Sequence, residues 1–218
     1  MKRFTLILQV VCLFTYGCGA LYNIPVTGSY DVDLVQLERP EDAKERYGES
    51  TIINFQEDGD TKYKYADEMI EIAWVIGQEQ FSFVLNNKTE HSIKLIWDEA
   101  AYVDLDNASK RIMHSGVKYN EKNNSQPASI IIKGGKLTDI IQPTENVYYI
   151  NGSQYYSGGW RTLPLFPNSG QDKEALINLS KQYIGREVKI LLPLEIQGNV
   201  NEYIFSFKLE NFNIPPEN

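Results

Sequence analysis

Tyr148, Tyr149, Tyr155, Tyr156 and Trp160 crowd into one stretch, VYYINGSQYYSGGWRTLPLF at 147–166, with Arg161 directly after the tryptophan. Aromatic faces set among glycines and small polar residues bury contact area at low entropic cost, as a sugar-binding or protein-binding surface requires. The plainer alternative is that a Tyr-Tyr pair in a strand places one ring on each face, so that half of these rings point inward. Asn151-Gly152 suits a tight hairpin turn. Tyr149, Tyr155, Tyr156, Trp160 and Arg161 are the candidate ligand-binding residues.

Other groups with chemical potential are weaker. The spacing of Ser115-Gly116-Val117-Lys118 matches SxxK by letter, but that chemistry needs serine and lysine on one helical face, and the pattern here predicts a strand over Lys110 to Tyr119. His91 and His114 could meet across neighbouring strands, yet a zinc site needs further ligands at fixed geometry, and none lies beside them in the sequence. A structural histidine is the expected role for each. Asp98, Glu99, Asp104 and Asp106 gather around one strand, and calcium takes roughly 6–8 oxygen ligands. The EF-hand pattern fails there, lacking its central glycine and closing glutamate, so a solvated strand rim is expected instead. HExxH, GxSxG and the phosphate-binding glycine loop do not occur. The expectation is a non-enzymatic protein with no cofactor and no metal site.

Composition narrows the partners. The net charge is −8 and no Lys/Arg cluster interrupts it, so the attraction to phosphates that dominates nucleic-acid binding is missing. Nucleic acid is excluded as a partner on that ground. The 14 tyrosines outnumber the 9 phenylalanines, which suits both strands and surfaces that are apolar at one end and wet at the other.

The first residues read as an address. Lys2 and Arg3 precede an apolar run from Phe4 to Phe14, the pattern of a secretory signal peptide. The run is shorter than the ~20 apolar residues of a membrane-spanning helix. Thr15-Tyr16-Gly17-Cys18 resembles the lipobox of bacterial lipoproteins, with a small residue before the cysteine and an apolar run upstream. The resemblance implies that Cys18 is lipidated and becomes the first mature residue, anchoring the protein to a membrane of the cell envelope. Plain secretory cleavage near Ala20 is the alternative. Both cysteines, Cys12 and Cys18, fall in this leader, so the domain that follows is expected to hold without disulfides. Loss of Lys2 and Arg3 with the leader would move the charge from −8 to −10. A domain so acidic would not lie flat on anionic headgroups, and the acyl chains would hold it instead.

The elements that must position these residues are mostly strands. Phe81, Phe83 and Leu85 alternate with polar or smaller residues, then Ile93, Leu95 and Trp97 do so after a polar turn, so a hairpin is predicted with Trp97 near the middle of the core. Tyr30 to Leu34, Ser50 to Gln56, Thr61 to Ala66, Met69 to Ile76, Ser129 to Lys133 and Leu137 to Ile141 read as further strands, and Glu57 to Asp60 as a hairpin turn. Val188 to Ile196 and Tyr203 to Leu209 form the clearest alternating pair, with Pro193 marking an edge or a bulge. Arg39 to Gly48 suggests one or two helical turns, and Asp172 to Tyr183, closed by Gly185, one short helix.

Many short strands with frequent turns favour an antiparallel β-sandwich, and a Trp on the strand after an Asn-rich turn is similar in pattern to immunoglobulin-like sandwiches. The predicted organisation is a signal peptide over 1–17, a lipidated N-terminus and tether over 18–28, and one β-sandwich domain over 29–214. Its expected role is that of an envelope lipoprotein that binds or serves as a structural component, the partner being an envelope protein or a glycan, with polysaccharide capture through the loop aromatics as the alternative.

Overall fold

A computed structural model describes residues 25–38, 48–57 and 60–215. The signal segment with Cys18 and nearly all of the predicted Arg39–Gly48 turns lie outside the described residues. Within them, period-two sequence becomes period-two burial. In β5 (Ile70–Ile76) and β6 (Phe81–Asn87), every apolar alternate from Ile70 to Trp74 and from Phe81 to Leu85 is buried. β15 (Glu187–Ile196) buries Val188, Ile190, Leu192, Leu194 and Ile196, and β16 (Asn199–Asn213) buries Tyr203, Phe205, Phe207 and Leu209. A two-residue turn joins this pair, with both Gln197 and Gly198 at positive φ, as the tightest hairpins require.

All pairing is antiparallel. In one layer, β2 (Ser29–Glu38) lies beside β16, and β16 beside β15. The far edge of β15 carries β7 (Ile93–Leu95) and β8 (Ala101–Val103) end to end. β10 (Ser129–Ile131) then pairs with β7, and β9 (Ser109–Met113) with β8. The second layer runs β11 (Lys136–Pro143), β6, β5, β4 (Asp60–Ala66) and β3 (Thr51–Glu57). The end of β11 pairs with the end of β9, through Gln142 with Met113 and Pro143 with Ile112. The sandwich is therefore one twelve-stranded sheet folded over itself.

Aromatic rings fill the space between the layers. Trp74 of β5 lies 5.1 Å from Phe205 and 5.4 Å from Phe207 of β16, both edge to face. Such pairs contribute ~0.5–1.5 kcal/mol each beyond their buried area. Among the described residues one α-helix, α1 (Lys173–Ser180), starts where Asp172 Oδ1 accepts from Ala175 N at 2.8 Å, and buries Leu176.

The structure corrects several sequence expectations. β6 and β7 are not hairpin partners: β6 pairs with β5 and β11, while β7 lies in the other layer. The polar turn between them carries the chain across the sandwich. Trp97 is fully buried as expected, but in a 3-10 turn over Trp97–Glu99. Pro193 sits in a central strand. Its carbonyl accepts from Ile96 N at 3.1 Å, so its missing N–H faces the junction where β7 ends and β8 begins. The reciprocal bond that proline cannot donate leaves no orphan, because Ile96 O accepts from Glu99 N at 3.3 Å instead. The strand predicted over Lys110–Tyr119 stops at Met113, leaving Ser115 and Lys118 in the following turn. The last of the tether is docked: β1 (Val26–Thr27) pairs with β14 (Ser169–Gly170).

Candidate functional site

The 147–166 stretch forms a hairpin of β12 (Val147–Ile150) and β13 (Gly159–Thr162), a two-stranded sheet separate from the main one. Val147, at its base, is fully buried and fixes the hairpin to the body. Beyond that base the ribbon has no core on either face. The adjacent Tyr148 and Tyr149 point to opposite faces, yet are 39% and 54% exposed, with Tyr155 at 85%, Tyr156 at 55% and Trp160 at 37%. The inward-pointing half expected of a core strand is absent here.

Register sorts the residues into two faces. Tyr149 stands opposite Trp160, and Tyr148 opposite Arg161. The Tyr149 and Trp160 rings meet edge to face, with centroids 5.4 Å apart, and Tyr119 also packs edge to face with Trp160 at 5.8 Å. On the opposite face, Arg161 turns its Nη1 back to donate to the Trp160 carbonyl at 2.9 Å. Tyr155 and Tyr156 occupy the tip, where Ser153 N donates to Tyr156 O at 2.9 Å. Below the tip the two chains nearly touch, since a Cβ on Gly158 would lie 2.6 Å from Gly152 N. Glycine is needed there for backbone approach. The tip thus stands on a pinched neck.

Tyr119 is the member that sequence reasoning missed. It belongs to a 3-10 turn over Tyr119–Glu121, placed beside the hairpin by Lys122, whose Nζ donates to the carbonyls of Thr144 and Val147. Nothing in the local spacing of 110–126 signals this contact, which depends on the path of the chain between layers.

The remaining candidates are tied into the fold. Asp139 of β11 accepts from Ser115 Oγ at 2.6 Å and Ser115 N at 2.8 Å, and lies 3.2 Å from His114 Nδ1. A nucleophilic serine requires a base on its hydroxyl; here serine and histidine are both directed at one carboxylate, which fastens the turn after β9. His114 also lies flat on Trp97, whereas His91 is exposed in the turn after β6.

The acidic residues around β8 are divided among separate partners. Asp98 accepts from Ser125 Oγ, from Gln126 N at 3.0 Å and from Arg111 at 2.7 Å. These bonds, Ser125 first, hold its carboxyl below the usual carboxylate value. Burial opposes ionisation of Asp104, but the Ala108 and Asp106 N–H groups and Lys110 outweigh it and lower its pKa. Lys110 Nζ is 3.0 Å from Asp104, and Asp106 pairs with Arg186 at 3.1 Å. Among the described residues, no three His, Cys, Asp or Glu side chains gather as a metal site would need, and no helix is long and apolar enough to cross a membrane.

The chain matches no protein-family model, no curated protein and no solved structure. The functional reading rests on the chain's own residues.

Proposed function

We propose that this chain is a lipid-anchored protein of the bacterial cell envelope whose β-sandwich acts by binding rather than catalysis, and that the β12–β13 hairpin docks a glycan chain. One observation carries the reading: five large aromatic side chains stand in solvent on a ribbon that buries only its base. Scattered exposed apolar residues are ordinary, but five large exposed rings on one short hairpin, with Tyr149 packed on Trp160, suit a contact surface. Flat ring faces suit the apolar C–H faces of pyranoses. On the other face of the ribbon, Arg161 beside Tyr148 adds a polar group for sugar hydroxyls. The attachment to the envelope rests on Lys2, Arg3, the apolar run and Cys18, through acyl chains buried in the bilayer.

Affinity electrophoresis through polysaccharide gels, or a glycan array, comparing the wild type with Trp160→Ala tests the ligand. Retention of the wild type and its loss in the variant is the expected result. Absence of binding, or equal binding by both proteins, removes the hairpin as a glycan site. A protein captured from envelope extract in a Trp160-dependent way would assign the same surface to a protein partner. For the anchor, Cys18→Ser is expected to abolish fatty-acid labelling and membrane fractionation, and an unchanged membrane fraction counts against lipidation.

A further inference from the structure

The folded sheet is open between β2 and β3 among the described residues. Among the described residues β2 pairs only with β16, and β3 only with β4, so each presents a free edge. Between these edges runs a cleft of about 640 Å³ lined by β2, β3, β4 and the end of β16, and it continues past Leu34 and Val35 of β2 toward Ile52 and Ile53 of β3. One bond crosses it, from the Tyr63 hydroxyl to Asp33 Oδ1 at 3.0 Å. Burial first, and then this bond, raises the Tyr63 pKa, so Tyr63 stays a neutral donor to Asp33.

Three features mark this opening: an unblunted β3 edge, a bulge on β2 that re-aims side chains into the cleft, and an acidic lining. Natural edge strands are blunted by lysine, proline or bulges; Thr51–Gln56 of β3 contains neither lysine nor proline, and it leaves Ile52 and Ile53 exposed. The β2–β16 ladder skips one residue on each strand, Val35 and Glu210, and both of these residues line the cleft. Bulges re-aim side chains in this way. Finally, the lining carries three carboxylates, Asp31, Asp33 and Glu210, and no Lys, Arg or His. Lys208 nearby pairs with Glu210 at 2.8 Å, and Asn213 Nδ2 donates to Asp31 at 2.8 Å.

We propose that an extended peptide carrying basic residues at alternate positions adds as a strand between β2 and β3. Main-chain groups of the two edges supply its ladder bonds, the usual source of affinity in strand addition. Asp31 and Asp33, two apart on β2, stand roughly 7 Å from each other along the strand. That spacing matches Lys or Arg at alternate positions of the peptide. The intervening residues face the floor of the cleft, made by Tyr63, Val75 and Phe166. This surface is separate from the aromatic hairpin, and the two readings fail independently.

Fluorescence anisotropy with a labelled peptide alternating lysine and valine, long enough to span β3, is expected to show saturable binding. The same peptide with glutamate for lysine should not bind. The double variant Asp31→Asn with Asp33→Asn keeps acceptors for Asn213 and Tyr63, and should weaken binding about tenfold. Glu210→Gln, at a half-exposed bulge, gives a smaller loss and serves if the double variant folds poorly. Hydrogen exchange reads the backbone: the amides of Ile52 to Gln56 should slow when the peptide binds. Binding that leaves those amides unprotected, that both charge variants retain undiminished, or that survives N-methylation of alternate peptide residues, overturns the proposal. So does a peptide-free dimer with protected β3 amides, which would give the seam to a second copy of the chain.

Discussion

Trp97 lies flat on His114, their ring centroids 4.3 Å apart and their planes within 5° of parallel. The indole Nε1 donates to Ser129 Oγ of β10 at 2.8 Å. One side chain thus touches the turn after β9, the start of β10 and, through Phe83 at 6.3 Å, the opposite layer.

Truncation of this side chain should therefore be costly. Trp97→Ala is expected to destabilise the domain by ~3–5 kcal/mol, combining lost burial with a cavity. Trp97→Phe keeps most of the packing but leaves Ser129 without its donor, and should cost clearly less. Urea denaturation of the two variants measures the difference. Equal losses would mean that the Ser129 bond, rather than ring volume, dominates the site.

Asn87 is the polar counterpart. Its Nδ2 donates to the carbonyls of His91 at 2.7 Å and Ile131 at 2.9 Å, while Oδ1 accepts from Thr89 N at 2.9 Å and Thr89 Oγ1 at 2.8 Å. It is buried, and it ties the end of β6 to β10 in the other layer. Asn87→Ala strands several buried partners at once, so a loss of ~2–3 kcal/mol is expected. Asn87→Asp should do no better, because a carboxylate cannot donate to those carbonyls. Equilibrium unfolding decides it, and a loss below ~1 kcal/mol would show that the crossing needs no such lock.

This crossing also explains what the sequence could and could not reveal. Alternation in Phe81–Leu85 and Ile93–Trp97 correctly marked buried strands, because burial on one face depends only on period two. It could not identify the partners. A polar turn between two apolar runs reads as a hairpin, and only the Asn87 and Thr89 bonds turn the chain into the other layer instead. The same limit applied to Pro193, whose harmless position depends on where β7 and β8 abut. In the 147–166 stretch the aromatic residue types were legible as a surface. The exposure of both Tyr148 and Tyr149 was not, since alternation assumes a core on one side and this ribbon has none beyond its base.

Acid sensitivity should centre on the two turns that flank β8. Asp98 and Asp104 are both held below the ordinary carboxylate value by the bonds they accept. A carboxyl with a lower pKa folded than unfolded adds stability that is complete above the unfolded value, about 3.9 for aspartate, and disappears as pH falls through the folded value. Denaturation midpoints are therefore expected to hold from neutral pH down to about 5 and to fall below about 4. Asp104→Asn should flatten that decline, because it removes a carboxyl held low by the Ala108 and Asp106 N–H groups and Lys110. A midpoint that keeps rising below pH 4 would contradict the assignment.

Gly158→Ala separates the hairpin from the body of the protein. The added Cβ would lie 2.6 Å from Gly152 N and 3.0 Å from Ile150 O, both backbone atoms that cannot swing aside. The neck must open, displacing Tyr155 and Tyr156 at the tip and loosening the Tyr149–Trp160 pair below it. The core lies beyond Val147, so unfolding free energy should change by less than ~1 kcal/mol, as at other surface sites. Glycan retention should nevertheless drop toward that of Trp160→Ala. A variant that stays fully retained would show that ligand contact needs neither the neck nor the tip; a variant that unfolds early would show that the hairpin contributes to the stability of the whole domain.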